Sequence, residues 1–179
     1  MMTGHPHKDA VPGSAQHPDD LTPGKNRVKQ PNSRHCFVCG LESSVGLKLT
    51  FYDAGPDQAE AAYTVPEEYQ GYPGVVHGGV VAAMLDEVIG RAAMSGDPNH
   101  FTLTARLALR YRKPIPVAVR LQLVGSIERK KGRLTTGRGE LRLPDGTIAA
   151  EAEATLVDYA EAPEELGRLE RLGWRVYED

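Results

Sequence analysis

The chain has 179 residues, 40% hydrophobic and 25% charged, which is enough for one globular domain with a substantial core. Its formal net charge of -3 at pH 7 excludes a general attraction to nucleic acid or anionic membranes, so any anion-binding surface must be a local patch. No apolar run reaches the length of a membrane span, and the first residues lack the apolar segment of a secretory signal. Two cysteines are too few for a secreted disulfide scaffold, so we expect a cytoplasmic protein.

The two ends of the chain differ in composition from its middle. Residues 1–31 are rich in Pro, Gly, His, Asp and Ser and lack aliphatic periodicity, which predicts a disordered tail. The folded domain is expected to cover residues 32–160. Leu166, Leu169 and Leu172 fall on roughly one helical face, so residues 161–179 are predicted to form a C-terminal helical tail.

The segment His35-Cys36-Phe-Val-Cys39-Gly contains both cysteines. Its spacing matches half of a zinc knuckle, but a structural zinc normally takes four ligands and no second cysteine pair exists. The same spacing suits a redox pair, but no strand-to-helix context follows it. We therefore favour a packed N-terminal turn and predict no bound metal.

Two strands and a long helix are predicted next. The sequence GLKLTFYDAG alternates weakly and ends in a turn at residues 55–57, and QAEAAYTV forms a second strand that Pro66 stops. After an irregular loop, residues 78 to about 94 contain only three charged side chains, and apolar residues occupy all sides of the helical wheel. This pattern predicts a central helix surrounded by protein.

Four further strands follow the helix. FTLTARLALRYRKPIPV alternates with a period of two, VAVRLQLVGSIERKKG ends in a turn at residues 130–132, and RLTTGRGELRL and TIAAEAEATLVDY flank a turn at residues 144–146. This order of elements favours an α+β fold in which one antiparallel sheet wraps around one helix. In the first of these strands the predicted faces are Leu103, Ala105, Leu107, Leu109 and Tyr111 on one side, and Thr104, Arg106, Ala108, Arg110 and Arg112 on the other.

The central helix carries two adjacent acids, Asp86 and Glu87, although a buried carboxylate without a partner is strongly unfavourable. Glu87 stands four residues before Arg91, which is the favourable order for an ion pair on a helix. Asp86 has no cation within helical reach. It could pair with an arginine of the sheet such as Arg106, point to solvent at a subunit seam, or serve in catalysis.

His77-Gly78-Gly79 opens the helix, where backbone N–H groups lack partners and glycine lets a ligand approach closely. Such a helix start can polarise a carbonyl or hold an oxyanion. Gly79 and Asp86 are seven residues apart, or about 10 Å along the axis at roughly 1.5 Å per residue, so one helix cannot easily supply both groups to one carbonyl. We therefore predict a site between two chains, with the glycines from one and Asp86 from the other.

These residues resemble motifs of the hotdog-fold acyl-CoA thioesterases, specifically the PaaI-type enzymes and the related mammalian thioesterase superfamily members. HGGVVAAMLDEVIG is similar to the family's helix motif, LTARLALRYRKPIP is similar to the following strand, and the resemblance covers residues 32–159. It implies a long helix wrapped by an antiparallel sheet and a homodimer whose sheets run together, often as a dimer of dimers. It also implies hydrolysis of acyl-CoA, with no cofactor beyond the coenzyme A of the substrate.

The resemblance also assigns roles to individual residues. Asp86 is then either the general base on water or the nucleophile, and the Gly78/Gly79 backbone is the oxyanion donor. Thr104 falls where some members position the water, and His77 orients the loop or contacts the thioester carbonyl. For Thr104 and His77, the roles of an ordinary strand threonine and of a hydrogen-bonded loop histidine stay open.

Three basic residues near the end of the third strand, Arg110, Arg112 and Lys113, suit the phosphates of coenzyme A, because guanidinium groups bind phosphate bidentately. A solvated strand face is the alternative. Strand alternation places Lys113 opposite Arg112, so we expect only a subset to touch one ligand.

Two other functions compete with thioester hydrolysis. A hotdog hydratase or dehydratase would need a histidine and an acid at one reacting carbon, whereas Asp86 lies deep in the helix and His77 lies at its mouth. A non-catalytic acyl-CoA sensor would carry a DNA-binding helix pair, which the polar, Pro-rich N-terminal segment does not predict. The sequence leaves open whether the acyl group is aliphatic or aromatic.

Overall fold

One long helix and a six-stranded sheet make up the domain. The computed structural model describes residues 27–159, 171 and 173–178. Its elements are β1 (Tyr52–Gly55), β2 (Gln58–Thr64), a short 3-10 helix (Glu67–Tyr69), α1 (Gly78–Ala93), β3 (Thr102–Tyr111), β4 (Arg120–Lys131), β5 (Leu134–Arg142) and β6 (Ile148–Asp158). The strand order is β1-β2-β4-β5-β6-β3, and every neighbouring pair is antiparallel. The predicted α+β hotdog arrangement is confirmed.

Helix α1 packs against the sheet and forms the centre of the core, as the distribution of apolar residues predicts. Met84, Leu85 and Ile89 are fully buried, because the helix contacts four long strands, β3 to β6, as well as β2. Gly125 in β4 lies directly beneath the helix. A Cβ at this position would lie 2.2 Å from the Val88 carbonyl oxygen, so glycine is required for so close an approach of the two backbones.

Strand β3 forms one edge of the sheet and pairs only with β6 within the described residues. Two large apolar side chains of this strand are exposed, Leu103 at 58% and Tyr111 at 52%. The opposite edge is the short strand β1. Strand β3 is therefore the longer edge and the one that carries exposed apolar surface.

A β-bulge in β3 overturns the predicted division of its two faces. The register shifts between Thr104 and Arg106, so Ala105 is the extra residue. Thr104 pairs with the buried Leu156 and lies on the face that contacts the helix, whereas the alternation had placed it on the opposite face from the leucines. Leu103 pairs with Val157, which follows Leu156 and lies on the opposite face of β6, so Leu103 is exposed. Bulges of this kind re-aim side chains and are frequent beside functional sites.

The first strand is shorter than predicted. GLKLTFYDAG was expected to be a strand throughout, but β1 begins only at Tyr52. The Leu47 N–H donates to the Phe37 carbonyl oxygen (2.8 Å), and the Leu49 N–H donates to the Val38 carbonyl oxygen (2.9 Å). The backbone at Leu47 and Leu49 is therefore paired with the cysteine segment instead of with the sheet.

The domain also begins before the predicted boundary. The Gln30 N–H donates to the Phe51 carbonyl oxygen (2.9 Å), and the Gln30 side chain is buried. Its amide nitrogen donates to the Arg91 carbonyl oxygen (3.0 Å) in α1. Residues 27–31 therefore belong to the domain, and the prediction that they lie in a disordered tail is wrong. Residues 1–26 lie outside the described residues.

Most of the predicted C-terminal helix, residues 160–170 and 172, also lies outside the described residues. The segment at residues 173–178 returns to the domain. The Trp174 indole N–H donates to the Pro98 carbonyl oxygen (3.1 Å), and its ring centroid lies 5.3 Å from that of Phe101. Across the described part of the chain, no helix is both long and apolar enough to cross a membrane.

Candidate active site

Asp86 lies in the middle of α1 and has a hydroxyl as its partner. The Thr104 Oγ1–H donates to Asp86 Oδ1 at 2.8 Å, which the bulge in β3 makes possible. No Lys, Arg or His among the described residues forms an ion pair with Asp86, and Arg106 lies on the other face of β3. Burial raises the pKa of the Asp86 carboxyl above its ordinary value, and the Thr104 hydrogen bond lowers it only in part.

The neighbouring acid, Glu87, is neutralised as predicted. Arg91 Nε donates to Glu87 Oε1 at 2.9 Å, and the side chain of Arg91 is only 2% exposed. The guanidinium group also donates to the Pro31 carbonyl oxygen (2.6 Å) and lies 5.0 Å from the ring centroids of both Phe51 and Trp174. Glu87 therefore has a structural partner of opposite charge, which Asp86 lacks.

Asp86 opens into a cavity of about 300 Å³, which we call the mid-helix cavity. Its walls come from α1, β3, the cysteine segment and the C-terminal segment. The lining residues are Ser33, Cys36, Cys39, Asp86, Glu87, Gly90, Arg91, Met94, Phe101, Thr102, Thr104 and Trp174. The cavity combines an apolar wall with one acid that no cation neutralises, which is typical of a site that binds and transforms a small molecule.

His77 caps the start of α1. Its Nδ1 accepts a hydrogen bond from the Gly79 N–H at 3.0 Å, and its carbonyl oxygen accepts from the N–H groups of Val80 and Val81. The Gly78 N–H has no acceptor among the residues that the structure describes. Of the two predicted oxyanion donors, the Gly79 N–H is therefore already bonded to the capping histidine, and the Gly78 N–H is free.

Tyr111 contacts the helix start, although the sequence analysis did not include it among the site residues. Its hydroxyl donates to the Gly78 carbonyl oxygen at 2.7 Å. A Cβ on Gly78 would lie 3.4 Å from the same hydroxyl. Tyr111 is the last residue of β3 and lies between the predicted phosphate-binding residues Arg110 and Arg112, which is the one signal that could have pointed to it.

A second cavity, of about 360 Å³, lies at the start of α1, and we call it the helix-start cavity. Arg112 and Lys113 both line it, which corrects the expectation that strand alternation separates them. The reason is that β3 ends at Tyr111, before either residue. Arg112 donates to Glu151 at 2.5 Å, while Arg110 stands opposite Glu151 in the sheet and does not line the cavity. The full lining is Val75, Val76, Gly78, Val81, Tyr111, Arg112, Lys113, Pro114 and Ile115.

The two cavities have no lining residue in common. Within one chain, Gly78 and Asp86 therefore line two different cavities. This separation agrees with the expectation from helix length, and the prediction of a site between two chains stays a prediction.

The cysteine segment forms a tight turn against α1. Cys36 Sγ accepts hydrogen bonds from the N–H groups of Val38 and Cys39, both at 3.3 Å, and the Gly40 N–H donates to the Cys36 carbonyl oxygen (2.9 Å). Hydrogen bonding from the Cys39 side chain lowers the pKa of the Cys36 thiol to about 7, and the same interaction raises the pKa of Cys39. The predicted packed turn is therefore present, and the prediction of no bound metal was made from the two cysteines alone, without the neighbouring Glu87.

Comparison with known proteins relates part of this chain to one family. Residues 73–150 match the family model described as the Thioesterase superfamily. The chain is 28% identical over 108 residues to the acyl-coenzyme A thioesterase THEM4 of Rattus norvegicus, covering 60% of this chain and 46% of that protein. It is 26% identical over 129 residues to THEM4 of Xenopus laevis, covering 72% and 55%. The chain thus spans about half the length of the curated relatives that it matches.

Solved structures share the same architecture. The crystal structure of RHA08564, a thioesterase superfamily protein, is 34% identical with a TM-score of 0.64, covering 69% of this chain and 63% of that one. The structure of smu.793 from Streptococcus mutans UA159 bound to acetyl CoA has a TM-score of 0.57 over 62% of this chain and 88% of that one. At 14% identity, this second likeness supports the fold alone.

Proposed function

We propose that the protein hydrolyses acyl-CoA thioesters to a free acid and coenzyme A, because residues 73–150 match the family model of the Thioesterase superfamily and the helix-and-sheet architecture is that of the related solved structures. The observation that carries this proposal is Asp86. It is a half-buried carboxylate with a hydroxyl partner, without a cation, at the wall of a cavity large enough for part of an acyl group.

Asp86 acts as the general base in this mechanism. The carboxylate accepts a proton from a water molecule whose oxygen attacks the thioester carbonyl carbon. Thr104 Oγ1 holds the carboxylate and, when its own lone pairs are free, orients the water. The tetrahedral intermediate then expels the coenzyme A thiolate by breaking the C–S bond, and the proton on Asp86 is available to the leaving sulfur. The raised pKa of Asp86 makes the carboxylate a stronger base than an ordinary aspartate.

The same carboxylate could instead attack the carbonyl as a nucleophile and form an acyl anhydride that water hydrolyses. Single-turnover hydrolysis in ¹⁸O-labelled water separates the two routes. A general base transfers the label directly into the product acid, whereas an anhydride that water opens at the Asp86 carbonyl carbon leaves unlabelled product in the first turnover and label in the enzyme carboxylate. In both routes the Thr104 hydrogen bond holds Oδ1 and leaves Asp86 Oδ2 as the reacting oxygen.

The free Gly78 N–H at the start of α1 is the proposed oxyanion donor. It points out of a helix N-terminus, where the backbone dipole favours a developing negative charge. Since the helix start and Asp86 line separate cavities, the donor comes from a second copy of the chain. The exposed apolar edge of β3 supports a homodimer in which two sheets continue into each other, and a dimer of dimers is its extension.

The helix-start cavity is the proposed entrance for coenzyme A. Arg112 and Lys113 bring two cations to its wall, which suits the phosphates of the nucleotide end. Arg112 is already paired with Glu151, so Lys113 is the stronger phosphate contact. Arg110 contributes at longer range.

The proposal is tested by measuring free thiol release from short, long and aromatic acyl-CoAs. Asp86→Asn should lower kcat by about 10² to 10⁴-fold, which is the usual contribution of a general base. Asp97→Asn is the matched control, because this exposed loop aspartate accepts a hydrogen bond from the Asn99 N–H that an asparagine oxygen can also accept. An unchanged kcat in Asp86→Asn would exclude the proposed role, and consumption of enoyl-CoA without thiol release would favour a hydratase.

A further inference from the structure

The cysteine segment and α1 bring three metal-binding side chains together. Cys36 Sγ, Cys39 Sγ and a carboxylate oxygen of Glu87 all lie within 4.8 Å of one another, and Cys36 Sγ is 3.9 Å from Glu87 Oε2. Ligand atoms around a tetrahedral zinc ion are about 3.3 to 3.8 Å apart, given Zn–S and Zn–O bonds of roughly 2.3 and 2.0 Å. The three side chains therefore need only small movements to reach a common ion.

The turn that carries the two sulfurs has the form of a metal-binding knuckle. Two backbone N–H groups, of Val38 and Cys39, donate to Cys36 Sγ and thereby favour its thiolate form. A Cβ at Gly40 would lie 2.4 Å from the Cys36 carbonyl oxygen, so this tight turn requires glycine after the second cysteine. The backbone thus presents both sulfurs in advance, without any contribution from the ion.

Glu87 supplies a third possible ligand atom, which the sequence alone did not identify. It is 51 residues beyond Cys36 and reaches the turn only because α1 packs against it. Arg91 holds Glu87 Oε1 at 2.9 Å, which leaves Oε2 facing the sulfurs and fixes the orientation of the carboxylate. Two thiolates and one carboxylate carry three negative charges, which a divalent cation and the Arg91 guanidinium together balance.

We propose that Cys36, Cys39 and Glu87 bind one divalent transition metal ion of the zinc type, with a fourth coordination position that faces the mid-helix cavity. Two thiolates select such a borderline ion over magnesium or calcium, which prefer oxygen ligands. The ion fastens the cysteine segment to the helix beside Asp86, so it orders one wall of the mid-helix cavity.

The site is tested on the full chain, purified under reducing conditions, stripped with a chelator and reloaded with Zn²⁺ or Co²⁺. We expect one ion per chain by elemental analysis, together with the near-ultraviolet thiolate-to-cobalt charge-transfer band and the visible bands of four-coordinate Co²⁺. Cys36→Ser and Cys39→Ser should each abolish the charge-transfer band or halve it. Glu87→Gln should weaken Zn²⁺ binding roughly tenfold or more while keeping both sulfur contributions, since even outer contacts of a metal site often matter that much.

Two control variants test whether metal binding depends on this cluster. Glu140→Gln removes a carboxylate that is paired with Arg142 at 2.6 Å, outside the cluster, and should leave metal binding unchanged. Asp86→Asn should also keep the ion, although it removes the proposed general base. If Asp86→Asn stays active while the ion binds normally, the proposed hydrolysis mechanism fails and the metal site stands.

The metal site is overturned if the reduced wild-type protein binds Co²⁺ without a charge-transfer band. It is also overturned if Cys36→Ser/Cys39→Ser binds Zn²⁺ as tightly as the wild type. An unchanged Zn²⁺ affinity in Glu87→Gln removes the carboxylate from the site and contradicts the three-ligand assignment. The wild-type cobalt spectrum decides the question even if a cysteine variant fails to fold.

Discussion

The two cavities that flank α1 differ in what they offer a substrate. The mid-helix cavity contains Asp86 with its hydroxyl partner, whereas the helix-start cavity contains the free Gly78 amide and two cations but no acid among its lining residues. A thioester hydrolase needs a base on one side of the carbonyl and a donor on the other. In the proposed mechanism, one chain therefore holds the base and the oxyanion donor in two different cavities.

The largest expected effect is the recovery of activity when two inactive variants of the chain are mixed. Asp86→Asn damages the base and Gly78→Pro removes the free amide, so each homodimer should be inactive. If the site joins two copies, random mixing of refolded chains should regain about a quarter of wild-type activity, because half of the dimers are mixed and each contains one intact site. Thiol release before and after mixing measures this recovery.

The matched control for this experiment mixes Asp86→Asn with Thr104→Val. Both substitutions lie in the same half of the proposed site, so every mixed dimer has two damaged sites. Because Thr104→Val itself is expected to keep about a tenth of the wild-type kcat, this mixture should show the average activity of its two parents and no recovery above it. A single-chain site would give no recovery in either mixture and would contradict the two-chain arrangement.

The next largest effect tests the helix-start amide by itself. Gly78→Pro removes the N–H group at the first helical position, where proline is well accepted, and His77 already has the extended backbone that a following proline requires. We expect kcat to fall by about 10² to 10³-fold, as for other oxyanion donors. Gly78→Ala keeps the amide and meets Tyr111 at an ordinary contact distance, so it should retain most activity. Equal kcat values for the two variants would exclude the amide.

A smaller effect is expected from the hydroxyl partner of the acid. Thr104→Val removes the hydrogen bond that lowers the pKa of Asp86, so this pKa should rise further. A base must be deprotonated, and activity is therefore lost as the pH falls through the pKa of Asp86. The acidic limb of the kcat profile should move to higher pH in Thr104→Val, with kcat at its maximum reduced by about tenfold. Thr104→Ser keeps the hydroxyl, so the acidic limb of its pH profile should stay where it is in the wild type. If the acidic limb does not move in Thr104→Val, then it does not report the pKa of Asp86.

The smallest effect concerns the cations of the helix-start cavity. Lys113→Gln should raise KM for acyl-CoA by about tenfold and leave kcat nearly unchanged, because a phosphate contact remote from the carbonyl contributes equally to ground state and transition state. Arg110→Gln should have less effect, since this residue does not line the cavity. An acyl thioester of N-acetylcysteamine has no phosphate, so its KM should be the same in all three proteins. A fall in kcat alone would contradict the phosphate role.

The fold and the candidate base Asp86 were predictable because they depend on residues that are close together in the sequence. The spacing of Glu87 and Arg91 within one helix predicted their ion pair and left Asp86 as the acid without a cation. The apolar residues on all sides of the helical wheel predicted that α1 lies in the centre of the core. The occupied Gly79 amide was also foreseeable in principle, since a histidine two residues before it can cap the helix. These properties depend on residues within one or two turns of each other.

Other features depend on packing between distant segments and could not be predicted in this way. The bulge at Ala105 reverses the face on which Thr104 lies, and no alternation pattern marks where a strand gains an extra residue. Glu87 approaches Cys36 only after α1 has packed on the cysteine turn. The buried Gln30 likewise gains its partners from Phe51 and Arg91, far along the chain.

The contact beneath α1 has a consequence for how the protein tolerates change. At Gly125 the helix rests on the main chain of β4, since no side chain intervenes at that point. The distance between α1, which carries Asp86, and the sheet is therefore set by contact between two main chains, whose dimensions do not vary with sequence. Substitutions among the surrounding aliphatic residues should change this distance little. Drift in core composition can alter stability by repacking, while the alignment of the helix that carries Asp86 persists as long as position 125 stays without a side chain.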